Sequence, residues 1–404
     1  MRELAERIKN EVVSQMDLSL DLSDEDIRSL ISNSMRKISK ERAISLSDRK
    51  KVEGIVFNSL RKMDVLQELI EDDSITEIMI DGPNRIFIEK DGKLTKSTMM
   101  FPGNEKLLDV VQQIVGEQNR IVNESSPIVD TRLSDGSRVN IVLPPIAIDG
   151  AAVTIRKFPK DPFTIEQLIS ISSLSEELAE FFETLVVAGY NIFVSGGTGS
   201  GKTTFLNVLS NFIPKDERII TIEDSAELQI KGVENLVRLE SRNATMEGLL
   251  EISIRDLIRS ALRMRPDRII VGECRGAESL DMLQAMNTGH DGSLSTGHAN
   301  SCKDILSRLE TMTLMGSVDL PLAAIRSQIA SGIDIIVQLS RLRDRSRKVV
   351  EVVELDGIKD GEIQLNALYK FEEQGESDGR IFGQWIKVGE LKHREKLLGA
   401  GLKI

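Results

Sequence analysis

Cysteine is nearly absent. Cys274 and Cys302 are the only two in 404 residues, too few for a disulfide framework or a four-cysteine zinc site. Histidine is almost as scarce, with His290, His298 and His393, which leaves little for a histidine-rich metal centre. No run of about 18 apolar residues occurs; the best stretch, LVVAGYNIFV at 185–194, is broken by Gly189, Tyr190 and Asn191. The opening MRELAERIKNE alternates in charge where a secretory leader needs an apolar core. These absences are expected to exclude disulfide-rich secreted and integral membrane classes, and they point to a reducing, cytoplasmic setting. Aromatic residues make up only 4%, and 52 basic against 64 acidic residues leave a net charge of −12. That balance argues against a broad nucleic-acid surface, though not against a local basic patch.

What is present divides the chain. At roughly 150 residues per domain, this length suggests two or three domains. Residues 1–62 read as helical: Leu4, Ile8 and Val12 share one face, as do Ile27, Leu30, Ile31 and Ile38, with Ser23 and Asp26 placed as a capping box. Residues 63–158 read as a small α+β domain. It holds a short helix at DVLQELI, a strand at SITEIMID, a hairpin around Asp91-Gly92, a helical face from Leu107 to Val115, and strands at 137–144 and 151–158. Pro159 and Pro162 among charges mark a linker over 159–172. Over 173–345, apolar strand-like runs alternate with helical ones, which predicts an α/β domain with a mainly parallel sheet. It opens with a helix that Ser173 and Glu176 would cap. Residues 346–404 read as a β-rich extension.

Several segments carry chemistry. Gly196-Gly197-Thr198-Gly199-Ser200-Gly201-Lys202-Thr203 fits GxxxxGK[ST] between a predicted strand and a predicted helix. Glycines there let backbone N–H groups close on phosphate oxygens, the following helix offers its positive end, Lys202 reaches the β/γ-phosphates, and the Thr203 hydroxyl can ligate Mg²⁺. RIIVGECRG ends an apolar strand in Glu273, placed to polarise an attacking water or hold Mg²⁺. TIEDSAEL sets Glu223, Asp224 and Glu227 after another strand, where carboxylates suit Mg²⁺ and its water shell; a plain charged turn is the alternative. His290 and His298 flank a Gly-rich stretch, better suited to sensing a γ-phosphate than to holding a metal, since no third ligand of usual spacing follows. Arg255, Arg259 and Arg263 recur every fourth residue on one helix face, either a solvated stripe or an interface. The basic run at 341–348 reads as a solvated hairpin turn.

Four blocks in order, GGTGSGKTT, TIEDSAEL, RPDRIIVGECRG and TGHDGSLSTGHANS, resemble the Walker A, Asp-box, Walker B and His-box segments of the type II/type IV secretion ATPases. PIVDTRLSDGSRVNIVLPP and SRLRDRSRKVVEVVEL are similar to the CpaF/TadA branch, which powers tight-adherence pili. The resemblance implies a homo-hexameric ATPase at the cytoplasmic face of the inner membrane, peripheral to it and working with an inner-membrane platform protein. Each subunit would have a RecA-like domain joined by a flexible linker to a smaller N-terminal domain, with ATP and Mg²⁺ bound between them and domain rotation moving pilin. By position, phosphate binding falls on Gly197, Thr198, Gly199, Ser200, Gly201, Lys202, Thr203 and Thr204. Catalysis falls on Glu273 and Lys202 with Glu227, His298 and His290, and Mg²⁺ on Thr203, Glu223 and Glu273. Arginines acting on a neighbouring subunit's nucleotide fall on Arg132, Arg138 and Arg156. Two residues depart from the family pattern: Gly297 replaces a bulky apolar residue before His298, which is expected to loosen that loop, and Cys274 replaces a common valine.

Two other readings compete with a motor. A nucleic-acid translocase with the same RecA-like core is opposed by the charge of −12 and the scarcity of aromatics for stacking. A non-hydrolysing, ATP-gated scaffold is opposed by the presence of Glu273.

Overall fold

A computed structural model describes residues 2–16, 22–39, 44–90, 92–158, 162–242, 250–316 and 319–402. The chain forms two compact units, Met1–Lys160 and Asp161–Ile404. In the first, helices α1 (Arg2–Gln15), α2 (Asp24–Ser39) and α3 (Leu46–Arg61) bury Ile8, Val12, Ile27, Ile31, Val52, Val56 and Phe57 against one another. The Ser23–Asp26 capping box opens α2, each residue's backbone N–H reaching the other's side chain at 2.9 and 3.2 Å.

The same unit continues with α4 (Val65–Glu71), β1 (Ile75–Asp81), β2 (Ile86–Lys90), β3 (Lys93–Lys96), α5 (Asn104–Gly116), β4 (Ile128–Arg132), β5 (Arg138–Val142) and β6 (Ala152–Arg156). Its six strands run in the order β3-β2-β1-β6-β5-β4, with antiparallel pairing throughout. The hairpin strands β2 and β3 form as expected, with Asp91 outside the described residues. Leu107, Val110, Val111, Ile114 and Val115, at helical spacing on α5, cover the apolar face carrying Ile78, Ile80, Ile141, Val153 and Ile155.

Among the described residues, the second unit is built on nine strands. Its elements are α6 (Ile165–Ser170), α7 (Glu176–Val187), β7 (Ile192–Gly196), α8 (Lys202–Ser210), β8 (Ile219–Glu223), β9 (Leu236–Glu240), α9 (Ile254–Ala261), β10 (Arg268–Val271), α10 (Glu278–Asn287), β11 (Leu294–Gly297), α11 (Cys302–Gly316), α12 (Leu322–Gly332), β12 (Ile335–Arg341), β13 (Arg347–Lys359), β14 (Glu362–Ser377), β15 (Arg380–Lys387) and α13 (Glu395–Gly399). The order is β15-β14-β13-β12-β7-β11-β10-β8-β9. The pairings from β12 to β9 are parallel and those from β12 out to β15 antiparallel.

The central strands β7, β8, β10 and β11 are buried at every position because both faces are covered. Ile192 and Val194 of β7 face one core with Leu178, Phe182 and Leu206, whereas Phe193 faces the other with Ile305, Leu309 and Ile325. Ile335 and Val337 against Ile336 repeat this alternation on β12.

Three details differ from expectation. The cap of α7 is Ser175, whose hydroxyl accepts from Leu178 N–H; Ser173 is buried and its carbonyl takes the Val349 N–H of β13 at 2.9 Å. The proposed linker contains α6, started by a Thr164–Gln167 capping box. The C-terminal strands do not stand apart but extend the same sheet from β12.

Candidate active site at the P-loop

The parallel strands β7, β11, β10 and β8 all end on one edge of the sheet, the edge where open α/β sheets bind ligands. β7 ends at Gly196 and passes into the loop 197–201, which turns into α8 at Lys202. Gly199 (φ +71°) and Gly201 (φ +94°) adopt left-handed backbone that a side chain would strain, so the loop needs glycine at both. Gly196 is required for another reason: a methyl group there would lie 2.7 Å from the Leu339 carbonyl of the adjoining β12. Thr198 and Gly199 are exposed, Gly197, Thr203 and Thr204 are half-buried, and Ser200 is buried.

Lys202 is buried at the start of α8. Its Nζ donates to the Gly196 and Gly197 carbonyls, each at 3.0 Å, and lies 3.2 Å from Nδ1 of His298, the residue following β11. On the other side of the same ring, Nε2 is 2.8 Å from Oε1 of Glu273, which follows β10 by one glycine. An ammonium can only donate to Nδ1, so the ring proton belongs on Nε2, facing the carboxylate. A neutral imidazole is compatible with both neighbours, although the Nε2 approach to Glu273 Oε1 is close without the geometry of a hydrogen bond. Burial, assisted by Lys202 and Arg275, accordingly holds the His298 pKa below its ordinary value against the pull of Glu273. The second Glu273 oxygen takes Arg275 Nη2 at 2.8 Å, and Arg275 Nη1 is 3.6 Å from Asp224.

Glu223 ends β8 with 3% of its surface exposed. Its Oε1 accepts the backbone N–H groups of Glu227 and Leu228 at 2.9 and 3.0 Å, while Oε2 is buried with no hydrogen-bond partner among the described residues. Gly272 makes the space for it: a methyl group there would sit 2.9 Å from Glu223 Cγ. Glu227 lies half-buried in the turn and serves Glu223 through its backbone.

His290 is elsewhere. It precedes β11, whose first residue Leu294 lies beside Ile192 and whose last, Gly297, lies beside Ser195. The two histidines are therefore at opposite ends of a strand spanning about 13 Å, and His290 Nδ1 lies 3.2 Å from the Ala285 carbonyl. This corrects the expectation that both face the phosphates: a spacing of eight residues carries the chain across the sheet. Gly297 does not loosen the loop either, because the Phe193 ring occupies the space, 2.9 Å from where a methyl group would stand. Of the arginine row, Arg255 and Arg259 both bond Asp281, at 2.6 and 2.8 Å, a carboxylate only 5% exposed, while Arg259 and Arg263 stay exposed. In the first unit, strand register sets Arg132 directly opposite Arg138, and Arg138 opposite Arg156, a row of three cations across β4, β5 and β6.

The profile of the Type II/IV secretion system protein family matches residues 59–377. The chain belongs to that family. It is 31% identical to the conjugal transfer protein TrbB of Rhizobium radiobacter over 77% of this chain and 93% of that one. It is also 31% identical to the type IV secretion system protein VirB11 of Bartonella henselae, over 72% and 92%. Among solved structures, the ATPase DotB of Legionella pneumophila covers 73% of this chain and 80% of its own with a TM-score of 0.51 and 24% identity, a likeness of fold. The second unit is RecA-like. No helix among the described residues is long and apolar enough to cross a membrane.

Arg275 is the residue of this secretion-family site that sequence reading missed. Its position two residues beyond Glu273, on the same strand exit, was the available signal. Glu223 provides a pH test. Burial raises its pKa to about 7, opposed by the two backbone hydrogen bonds. Protonation is thus favoured by folding; that contribution is full below the ordinary value of 4.5 and lost as pH rises through about 7. The shift corresponds to about 3 kcal/mol. Glu223→Gln, neutral at every pH, should gain roughly 5 °C in Tm relative to wild type between about pH 5 and pH 8. Calorimetry showing a constant difference over that range would mean Glu223 is not held neutral.

Proposed function

We propose that this protein is an ATP-hydrolysing motor subunit of a type II/IV secretion or pilus machine, of the tight-adherence branch, acting as a homo-hexamer at the inner face of the cytoplasmic membrane with a membrane platform protein. The observation that carries this reading is the line Lys202–His298–Glu273 beside the P-loop, which sets a phosphate-binding cation and a carboxylate base on either side of one neutral imidazole.

In this reading Gly197 to Thr204 wrap the phosphates and Lys202 leaves its two carbonyls for the β/γ oxygens, where charge develops. Glu273 accepts the proton of the attacking water, and the Nε2–H of His298 donates toward the γ-phosphate side once Glu273 turns to that water. Glu227 supports the site through Glu223. A magnesium ion fits the oxygen donors present: Thr203, Glu223 and Glu273 would hold it and its water shell, and the buried, unpartnered Glu223 Oε2 is suited to that shell. When bound with the nucleotide, such an ion would neutralise charge on the phosphates. No cluster of three or more acidic, histidine or cysteine ligands exists among the described residues, so the ion would arrive with its nucleotide. Arg132, Arg138 and Arg156 are assigned to the nucleotide of a neighbouring subunit, and their row in one register supports that assignment.

ATPase activity per subunit, measured against protein concentration with Mg²⁺ and without nucleic acid, tests this. An arginine supplied by a neighbour is worth about 10³ in rate, so specific activity should climb steeply as subunits assemble and then level off. Activity that stays flat while sizing shows monomers passing to oligomers would remove the shared site. Absence of turnover in the assembled state would favour the scaffold.

A further inference from the structure

The basic run RLRDRSRK forms the β12–β13 hairpin, and its arginines are sorted between two tasks. Arg343 bonds Glu373 and Glu376 of β14, and Asp344 accepts from Ser346 and from the Ile381 N–H of β15, so the turn is fixed from the outer strands. Arg341 and Arg347 face the other way. Strand register places them directly opposite each other, on the face of the sheet that carries Val337, Leu339 and Val349, the core shared with α8. Two residues before Arg341, Leu339 pairs with Gly196 at the root of the P-loop. The arginines therefore project past the edge of that core onto the loop. Arg347 Nε donates to the Gly199 carbonyl at 2.9 Å, and a methyl group on Gly199 would lie 3.7 Å from Arg341 Nη1.

Two guanidinium groups abreast on one face repel each other, an arrangement suited to an anion. Gly199, with positive φ and no side chain, sits where its peptide can turn, and a carbonyl turned inward would oppose a phosphate. We propose that Arg341 and Arg347 form a clamp on the nucleotide loop from within the same subunit: Arg347 is a positioning residue that holds the Gly199 carbonyl outward, and the pair lends positive charge to the bound phosphates. The clamp rests on the nucleotide reading above and adds to it a role for strands outside the parallel core.

The test is equilibrium binding of ADP and of a non-hydrolysable ATP analogue to full-length protein. Arg347→Ala should weaken both by about tenfold, the value of one charge-assisted hydrogen bond. Arg341→Ala should weaken both by about threefold and flatten the dependence of binding on salt. Arg347→Lys should recover only part of the loss, since an ammonium has no fixed fork to grip a carbonyl. Arg343→Ala, in the same turn but facing Glu373 and Glu376, is the control and should bind as wild type does. Binding by Arg347→Ala within about twofold of wild type, or an equal loss in Arg343→Ala, would overturn the clamp while leaving the P-loop assignment intact. Wild-type protein that binds neither ligand would instead remove the nucleotide reading, and the clamp with it.

Discussion

Lys202→Ala is expected to lose nucleotide binding and to lower turnover by at least ~10³, the range found when a donor aimed at developing phosphate charge is removed. The structure makes the loss twofold in kind. The ammonium that would meet the phosphates is gone, and the Gly196 and Gly197 carbonyls lose the donor they share, the second keeping only the Ser200 N–H at 3.3 Å. Hydrogen bonds to a charged donor contribute about 1.5–3 kcal/mol, so the loop itself should be less ordered. Titration with a fluorescent ADP analogue and phosphate release together check this. Affinity within about tenfold of wild type in a folded Lys202→Ala protein would refute the assigned role.

Glu273→Gln should separate binding from chemistry. The side chain keeps its shape, but one of the two donors that now meet its oxygens, Nε2–H of His298 and Nη2 of Arg275, would face an amide N–H₂ instead of an acceptor. The variant should still bind ATP, since removal of a carboxylate near the phosphates eases repulsion. Turnover should fall by about 10²–10⁴, because the amide cannot take a proton from water. Single-turnover phosphate release against ATP retention reads both quantities. Hydrolysis within a few-fold of wild type would take Glu273 out of the mechanism.

Much of the second unit was legible because burial on both faces writes strands as unbroken apolar runs. Ile192–Val194, Ile219–Ile222 and Ile269–Val271 are readable without partners, and so is the glycine spacing that follows the first of them. What escaped depends on strand direction and register. His290 and His298 look equivalent along the chain, yet a four-residue strand puts them on opposite edges. The role of Arg347 rests on β13 folding back beside β12 in a register that carries it to Gly199, and that register is set by pairing across the whole hairpin. The shared partner of Arg255 and Arg259 escaped because nothing local predicts the buried Asp281 on another helix. Ser173 with Glu176 was the cap the local pattern suggested, but the backbone of Ser173 is tied to β13 through the Val349 N–H, and the helix starts two residues later under the Ser175 hydroxyl.

The contacts joining Lys202, His298, Glu273, Arg275 and Asp224 amount to a closed electroneutral set, two cations against two carboxylates around an uncharged ring. Such a set has almost no far field, so an empty pocket does little to attract or repel distant groups. On the proposed reading, a magnesium nucleotide adds about two negative charges to it, and beside the P-loop Arg341 and Arg347 stand outside the matched set. The excess falls on a chain that carries −12. On that reading occupancy becomes a long-range electrostatic signal, one that fades as ionic strength rises past the point where the Debye length shrinks below about 10 Å.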